Sequence, residues 1–107
     1  MGKASRNKGK VGERELAAFL REHGREARRG VQYMGGPQSP DVVSDLRGVH
    51  LECKRTEQLR LYPALEQAAT EKPAGSIPVV AHRRNRKPWV AVLPLESLLL
   101  ILKEAGR

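Results

Sequence analysis

Two short segments of strand-forming residues, each carrying an acidic side chain, most constrain how this chain folds. The first segment is Asp41-Val42-Val43-Ser44, and the second runs from Val49 to Lys54. Between them, Asp45-Leu46-Arg47-Gly48 has the composition of a turn, so the two segments are predicted to fold back on each other as an antiparallel hairpin. This arrangement brings Asp41 of the first segment close to Glu52 of the second.

The register of the hairpin fixes which charged groups meet. If the loop has an even number of residues and is centred near Leu46 and Arg47, Asp41 lies opposite Glu52. If the loop is centred one residue further along the chain, Asp41 lies opposite Lys54. Both registers place these three residues on one face, because side chains alternate along a strand. The opposite face is the predicted core face and carries Val42, Leu51 and Cys53. The charged face collects Asp41, Val43, His50, Glu52 and Lys54.

Two carboxylates and one ammonium group on a single face are typical of a metal-dependent nuclease site. Mg²⁺ prefers oxygen ligands, takes one or two carboxylates from the protein and leaves positions for water and phosphate. Lys54 adds a cation that can orient a water or offset phosphate charge. The alternative interpretation is that Asp41 follows a proline in a turn, that Glu52 lies on a solvated face of the hairpin, and that Lys54 pairs with either acid. His50 is expected to be a solvated strand histidine, and Asp45 a turn residue.

Composition limits the class of partner. The 107 residues form one predicted domain (1–107), and the formal net charge of +8, with 13 arginines among 20 basic residues, favours a polyanion. A basic ribosomal or membrane-surface protein would show the same balance. The four aromatic residues are too few for a single-strand stacking platform, so double-stranded or branched DNA is the expected partner, with no small-molecule substrate.

The single cysteine, Cys53, excludes an internal disulfide and a cysteine-based zinc site. No stretch approaches the ~20 apolar residues that span a bilayer, and Met1–Lys10 lacks the apolar core of a secretion signal. These features predict a cytoplasmic protein with no membrane partner.

Hydrophobic periodicity predicts an α/β fold with the element order α-β-β-β-α-β-β-α. Residues 1–8 are expected to form a mobile basic arm. The first helix is predicted over Gly9–His23 with Gly24 as its C-cap, and Arg28-Arg29-Gly30 as a basic turn. The remaining expected elements are strands at Gln32–Met34, Asp41–Ser44 and Val49–Lys54, a helix at Arg60–Thr70, strands at Ile77–His82 and Trp89–Leu93, and a helix at Leu95–Glu104. The buried side of the second helix is predicted to carry Leu61, Leu65, Ala68 and Ala69.

Basic side chains concentrate in the arm and in two loops, where few acids compensate them. Phosphate contacts are predicted for Lys3, Arg6, Lys8, Lys10, Arg28, Arg29, Arg55, Arg83, Arg84, Arg86 and Lys87.

Glu13 is predicted to lie on the apolar face of the first helix, because its helical neighbours are Leu16, Ala17 and Leu20. An acid on that face needs a partner. The alternative for Glu13 is a first-turn acid favoured by the helix dipole, an interpretation that fits Glu15 and Glu22 better.

These motifs resemble the PD-(D/E)XK nuclease superfamily, and within it the small Holliday junction resolvases of archaea and some phages. The corresponding residues are Gly9 with Glu13-Arg14, then Pro40-Asp41, then Glu52-Cys53-Lys54, and finally Glu66-Gln67-Ala68. The resemblance implies a restriction-endonuclease-like mixed β-sheet flanked by helices. It also implies a homodimer that binds a four-way DNA junction and cuts two opposed strands with Mg²⁺, for which Mn²⁺ can substitute.

The resemblance also assigns roles to residues of this chain. Asp41 and Glu52 look like metal ligands, together with Glu13 and the backbone carbonyl of Cys53. Lys54 looks like the cation that orients water, and Gln67 like a supporting polar group. Ser39, in the loop before Asp41, is the residue that matches the family's small hydroxyl group near the phosphate.

Two further expectations concern assembly and alternatives. The run Leu98-Leu99-Leu100-Ile101-Leu102 is apolar all round a helix, so one face is expected in the monomer core and another in a dimer interface. Two other functions fit the pattern: a restriction-like or repair nuclease for other DNA structures, and a non-catalytic double-stranded RNA-binding domain. The second of these would leave the charged face and the last three elements unexplained.

Overall fold

The computed structural model describes residues 3–30 and 41–107, with side chains from residue 9 onward. Three helices and five strands follow one another in the predicted order. Their bounds are α1 Lys3–Glu22, β1 Ala27–Arg29, β2 Val42–Ser44, β3 Val49–Arg55, α2 Leu61–Glu71, β4 Ile77–Arg83, β5 Val90–Val92 and α3 Leu95–Glu104. The fold is therefore mixed α/β, as the sequence predicts.

Helix α1 is longer than its predicted range. It begins at Lys3 rather than Gly9, so the backbone expected to form a mobile arm belongs to the first turns of the helix. Residues 3–9 contain no proline, so the amphipathic helix can extend through them toward the N-terminus. Its end matches the prediction, since Gly24 has a φ of 80°, a left-handed conformation that glycine adopts without steric cost.

The predicted hairpin between the two central strands is wrong. β2 pairs in antiparallel orientation with β1, and β3 pairs in parallel orientation with β4, which pairs in antiparallel orientation with β5. All seven residues of β3 have a partner in β4, and α2 makes the crossover between the two strands. Residues 50–52 of β3 are all buried, which is typical of a parallel strand covered by helices on both sides.

The first strand also lies elsewhere than expected. β1 contains Arg28 and Arg29, two residues predicted to form a turn, and its ladder continues through a hydrogen bond from the Gly30 N–H to the Asp41 carbonyl oxygen at 2.8 Å. The strand predicted at Gln32–Met34 lies outside the described residues. The pairing with β2 supplies hydrogen bonds that the local sequence around the two arginines does not reveal.

The core has one layer on each face of the β3–β4–β5 sheet. The α1 layer contains Leu16, Ala17, Val42, Leu51, Val79 and Ala81, with Cys53 packed against it. The α2 layer contains Ala64, Ala68 and Val80. The predicted core face is thereby confirmed, whereas the predicted buried side of α2 is partly wrong, because Leu61 and Ala69 are exposed and Ala64 takes the inner position.

Helix α3 has the predicted bounds but packs less than expected. Its only buried residue among those described is Ser97, and Leu98, Leu99, Leu100 and Ile101 are all exposed. The prediction that one leucine-rich face enters the monomer core is therefore wrong within this single chain. Within residues 3–30 and 41–107, no helix is both long enough and apolar enough to span a bilayer.

Candidate active site

Asp41 lies immediately before β2 and beside the edge of β3 that β4 does not occupy. Its backbone N–H donates to the Leu51 carbonyl oxygen at 3.2 Å, and its Oδ2 accepts from the Cys53 N–H at 2.9 Å. Asp41 is thus held between the two neighbours of Glu52 on the strand. The predicted juxtaposition of Asp41 and Glu52 is present, although these local bonds replace the hairpin ladder that was expected to create it.

The carboxyl group of Glu52 is surrounded by other acids. Its side chain is 1% exposed, and one of its carboxylate oxygens lies within 4.8 Å of a carboxylate oxygen of Glu71. Burial, together with the neighbouring carboxyl groups of Glu71 and Asp41, raises the pKa of Glu52 to about 9. At neutral pH and without a cation, a proton therefore resides among these carboxyl groups.

His50 contradicts the expectation of a solvated strand histidine. Its side chain is 1% exposed, and its Nε2 lies 3.0 Å from Oε1 of Glu52. Burial lowers the pKa of His50, so the neutral imidazole is favoured. The reason for the burial is α2, which covers this face of β3 and could not be placed there from the strand pattern alone.

Glu13 of α1 has the partner that its position on the apolar face requires. The Arg29 Nε donates to Oε1 of Glu13 at 2.8 Å, with the Glu13 side chain 15% exposed. Burial raises the pKa of Glu13, and the Asp41 charge acts in the same direction, while the hydrogen bond from Arg29 acts against both. Glu13 therefore lies within the electrostatic field of Asp41, as expected of an acid of the same site.

Lys54 is oriented by α2. Its Nζ donates to Oε1 of Gln67 at 2.9 Å, and Nε2 of Gln67 donates to Oε1 of Glu71 at 3.3 Å. A carboxylate oxygen of Glu71 in turn lies within 4.8 Å of one of Glu52, so polar side chains lead from the ammonium group to the buried carboxyl group. Glu71 was not among the residues predicted from the sequence. Its spacing of four residues from Gln67, one helical turn, was the signal available.

A second ion-pair network ties α1 to the strands. Glu15, which the sequence favoured as a surface acid, accepts hydrogen bonds from Arg55, at 3.1 Å, and from Arg83. Arg55 also donates to Oδ1 of Asn85 at 2.8 Å. Arg55 and Arg83, predicted to contact phosphate, are thus engaged within the protein.

The other predicted DNA contacts divide into three groups. Arg29 is paired with Glu13, as described above. Lys10, Arg28, Arg84, Arg86 and Lys87 have exposed side chains. The side chains of Lys3, Arg6 and Lys8 lie outside the description, although their backbone belongs to α1, and Ser39 lies outside the described residues altogether.

The donor atoms at this site are suited to a hard divalent cation. Asp41, Glu52 and Glu13 offer carboxylate oxygens, the ligand type that Mg²⁺ and Mn²⁺ prefer. Burial raises the pKa of the Cys53 thiol to about 12, so its sulfur stays protonated and is a poor metal ligand. Cys53 can contribute through its backbone only, which agrees with the role that the family resemblance implies.

Comparisons with known proteins agree with the fold and with these motifs. Residues 4–101 match the family model "Archaeal holliday junction resolvase (hjc)". The structure is similar to that of Hjc from Archaeoglobus fulgidus, a Holliday junction resolvase from an archaeal hyperthermophile, with a TM-score of 0.59 and 28% sequence identity over 80% of this chain and 72% of the other. A comparison with curated protein sequences gave no significant match. The chain belongs to the family of archaeal Holliday junction resolvases, and through it to the PD-(D/E)XK nuclease superfamily.

Proposed function

We propose that this protein resolves four-way DNA junctions by metal-dependent hydrolysis of phosphodiester bonds. The observation that carries the proposal is the position of Asp41, which is bonded to the backbone of both strand neighbours of Glu52, with Lys54 on the same strand face as Glu52. The mixed fold and the family match support a nuclease rather than an RNA-binding domain. Because its proposed substrate is intracellular DNA, we place its activity in the cytoplasm.

The proposed ligands of the active-site cation, Mg²⁺ or Mn²⁺, are Asp41, Glu52 and the Cys53 carbonyl oxygen, with Glu13 as a further acid. When bound, such a cation lowers the pKa of a coordinated water and stabilises charge on the phosphate. Asp41 is already fixed by its bonds to the β3 backbone, so binding requires little reorganisation of this ligand. Arg29 holds the Glu13 side chain toward the same region.

Lys54 is proposed to orient the attacking water or to offset charge on the phosphate. Its bond to Gln67 limits the positions of the ammonium group, which favours a defined geometry over a mobile surface lysine. Ser39 keeps its proposed role near the phosphate on the basis of the family motif alone.

The proposed DNA surface relies on exposed basic side chains, which are those of Lys10, Arg28, Arg84, Arg86 and Lys87. Lys3, Arg6 and Lys8 remain proposed phosphate contacts on the basis of the sequence alone. Arg29, Arg55 and Arg83 were also predicted as contacts, and their ion pairs with Glu13 and Glu15 favour instead a role in holding the site together.

A homodimer is part of the proposal. The leucines of α3 form an apolar surface that is exposed to solvent in a single chain. The most exposed are Leu95, Leu99 and Leu100. A two-fold dimer would present two active sites to a junction that is itself approximately two-fold symmetric.

The decisive experiment compares cleavage of a four-way junction, a linear duplex of the same sequence and a single strand, with Mg²⁺ or with a chelator. The variants are Asp41→Asn and, as a matched control, Asp45→Asn, which alters the only other aspartate of the chain. Asp45 pairs with Arg25 at the surface, away from the carboxyl cluster. We expect junction cleavage by the parent and by Asp45→Asn, and a loss of at least ~100-fold in Asp41→Asn, with junction binding retained because basic residues supply most of the affinity.

Two outcomes would contradict the proposal in different ways. Equal cleavage of the three substrates would remove the junction assignment and favour a repair or restriction-like nuclease. Cleavage by Asp41→Asn at the parent rate would remove the proposed active site.

A further inference from the structure

Glu52 has a second set of potential metal ligands on the side of α2. One ligand atom each from His50, Glu52 and Glu71 lies within 4.8 Å of the other two. His50 precedes Glu52 by two residues on β3, and Glu71 is the last residue of α2. Asp41 is not a member of this group; it is bonded to the backbone of Leu51 and Cys53.

The burial of this cluster distinguishes it from a solvated group of surface acids. The side chains of His50 and Glu52 are each 1% exposed, and Glu71 is half-buried. Within the described part of the chain, the only basic side chain in an ion pair with Glu52 is His50 itself, and no lysine or arginine reaches this carboxyl group. Instead, a carboxylate oxygen of Glu71 lies within 4.8 Å of one of Glu52. Two carboxyl groups this close, one of them buried, require a shared proton or a cation to offset their charge.

One cation at the Asp41 side does not account for the whole arrangement. A cation between Asp41 and Glu52 leaves Glu71 and the imidazole of His50 without a role in its coordination. The 3.0 Å separation between Nε2 of His50 and Oε1 of Glu52 matches two adjacent ligands of an octahedral ion with bonds of about 2.1 Å. Glu71, on α2, supplies a third ligand atom. Three protein ligands are common in metal sites that also bind water or substrate.

We propose that His50, Glu52 and Glu71 form a second divalent cation site, which shares the Glu52 carboxylate with the Asp41 site. It rests on the proposed function for the first cation, since Glu52 bridges the two positions. The imidazole favours a first-row transition metal, so the site selects Mn²⁺ over Mg²⁺. With two cations, Glu52 would be ionised and neutralised from both sides, and a phosphodiester bound nearby would meet the two-metal arrangement found in many nucleases.

The test counts bound Mn²⁺ on the metal-free full-length protein without DNA, by calorimetric titration and by electron paramagnetic resonance. We expect two Mn²⁺ per chain in the parent, with spin coupling between them. In His50→Gln and in Glu71→Gln we expect one Mn²⁺ and no coupling. Glu66→Gln, which changes an exposed acid on the same helix, should retain two.

The variants separate this proposal from the proposed active site. If the parent binds one Mn²⁺ that is lost in Asp41→Asn but unchanged in His50→Gln and Glu71→Gln, the second site is wrong and the active site stands. If both of these variants keep two coupled Mn²⁺, the second site is also wrong. If Asp41→Asn keeps two coupled Mn²⁺ and cleaves at the parent rate, the proposed active site is wrong. Should the buried His50→Gln substitution fail to fold by circular dichroism, the half-buried Glu71→Gln decides the outcome.

Discussion

Individual side chains at this site are held by partners from other elements. Glu52 contacts Asp41, Glu71 and His50, and Glu13 contacts Arg29. A buried carboxyl group with acidic neighbours favours its protonated form, whereas a bound cation favours the ionised form. The protonation of Glu52 should therefore be visible in the stability of the metal-free protein.

The first prediction concerns the pH dependence of stability in the presence of a chelator. The pKa of Glu52 is about 9 in the folded protein, against 4.5 when unperturbed, so between these pH values the folded chain holds the additional proton. The free energy of unfolding should then fall as the pH rises through this window, by up to about 1.4 kcal/mol per pH unit for this one group. Urea denaturation from pH 5 to pH 9 should show this slope in the parent and a flatter one in Glu52→Gln.

Comparison of the two proteins reports on Glu52 together with its contact His50. Glu13 also has a shifted pKa, but it remains in both proteins and cancels in the difference. Nε2 of His50 lies 3.0 Å from Glu52, so any change at His50 is counted with that of Glu52. Identical slopes for the parent and Glu52→Gln would show that Glu52 does not titrate in this window.

The second prediction uses two adjacent arginines of β1. Arg29 pairs with the largely buried Glu13, whereas Arg28 is exposed. Arg29→Gln should lower the free energy of unfolding by about 1–2 kcal/mol, because it leaves the Glu13 carboxylate without its charged donor. Arg28→Gln should change stability by less than about 0.5 kcal/mol and should weaken binding to all DNA sequences alike.

Chemical denaturation and salt-dependent DNA binding measure the two effects. A stability loss of the same size in both variants would mean that the Glu13–Arg29 pair contributes nothing specific.

At the scale of elements, the packing of α1 against β3 sets the distance between the helix that carries Glu13 and the strand that carries Glu52. The family motif includes Gly9, but among the described residues no atom outside the backbone of α1 lies within 4 Å of a Cβ added there. Gly12 is different, since a Cβ at this position would lie 2.5 Å from Cβ of Arg55. The close contact between helix and strand therefore depends on Gly12, a residue that the motif does not include.

The third prediction follows from this pair of helical glycines. Gly9→Ala should be neutral or stabilising by up to about 1 kcal/mol, because alanine favours the helix and meets no neighbour. Gly12→Ala should destabilise the protein by about 1–3 kcal/mol despite the same helical gain, because the added methyl group forces α1 away from β3. Thermal unfolding of the two variants measures the difference, and equal melting temperatures would contradict the packing described here.

At the scale of the whole molecule, the exposed leucines and the exposed loop arginines lie on different elements. Exposed arginines and lysines occur on β1 and in the β4–β5 turn, and exposed leucines occur on α3. Such a division suits a protein that binds a polyanion with one surface and a second copy of itself with another.

The fourth prediction tests the self-association of α3. The parent should sediment as a dimer at micromolar concentration, and Leu99→Glu should sediment as a monomer, because a charge in an apolar interface must be desolvated. Ala69→Glu, which places the same charge on the exposed side of α2, is the matched control and should remain dimeric. A monomeric parent would count against the proposed homodimer.

The sequence predicted that Asp41 and Glu52 lie close together, although the hairpin from which this was argued does not form. By itself it determined the order of elements and the core face of β3, because alternation and helical periodicity are local properties of the chain. The helix α3 has its predicted bounds for the same reason, and the resemblance to the nuclease family was confirmed.

Only the tertiary structure decided which strands pair, and with them the surroundings of the site. The pairing of β3 with β4 rather than β2, the cover of α2 over His50, and the pairing of Glu15 with Arg55 all join residues distant in sequence. Such contacts depend on which surfaces bury the most area and satisfy the most hydrogen bonds together, and no short segment encodes that choice. The carboxyl groups of the candidate site could therefore be predicted from the sequence, whereas the partners that shift their pKa values could not.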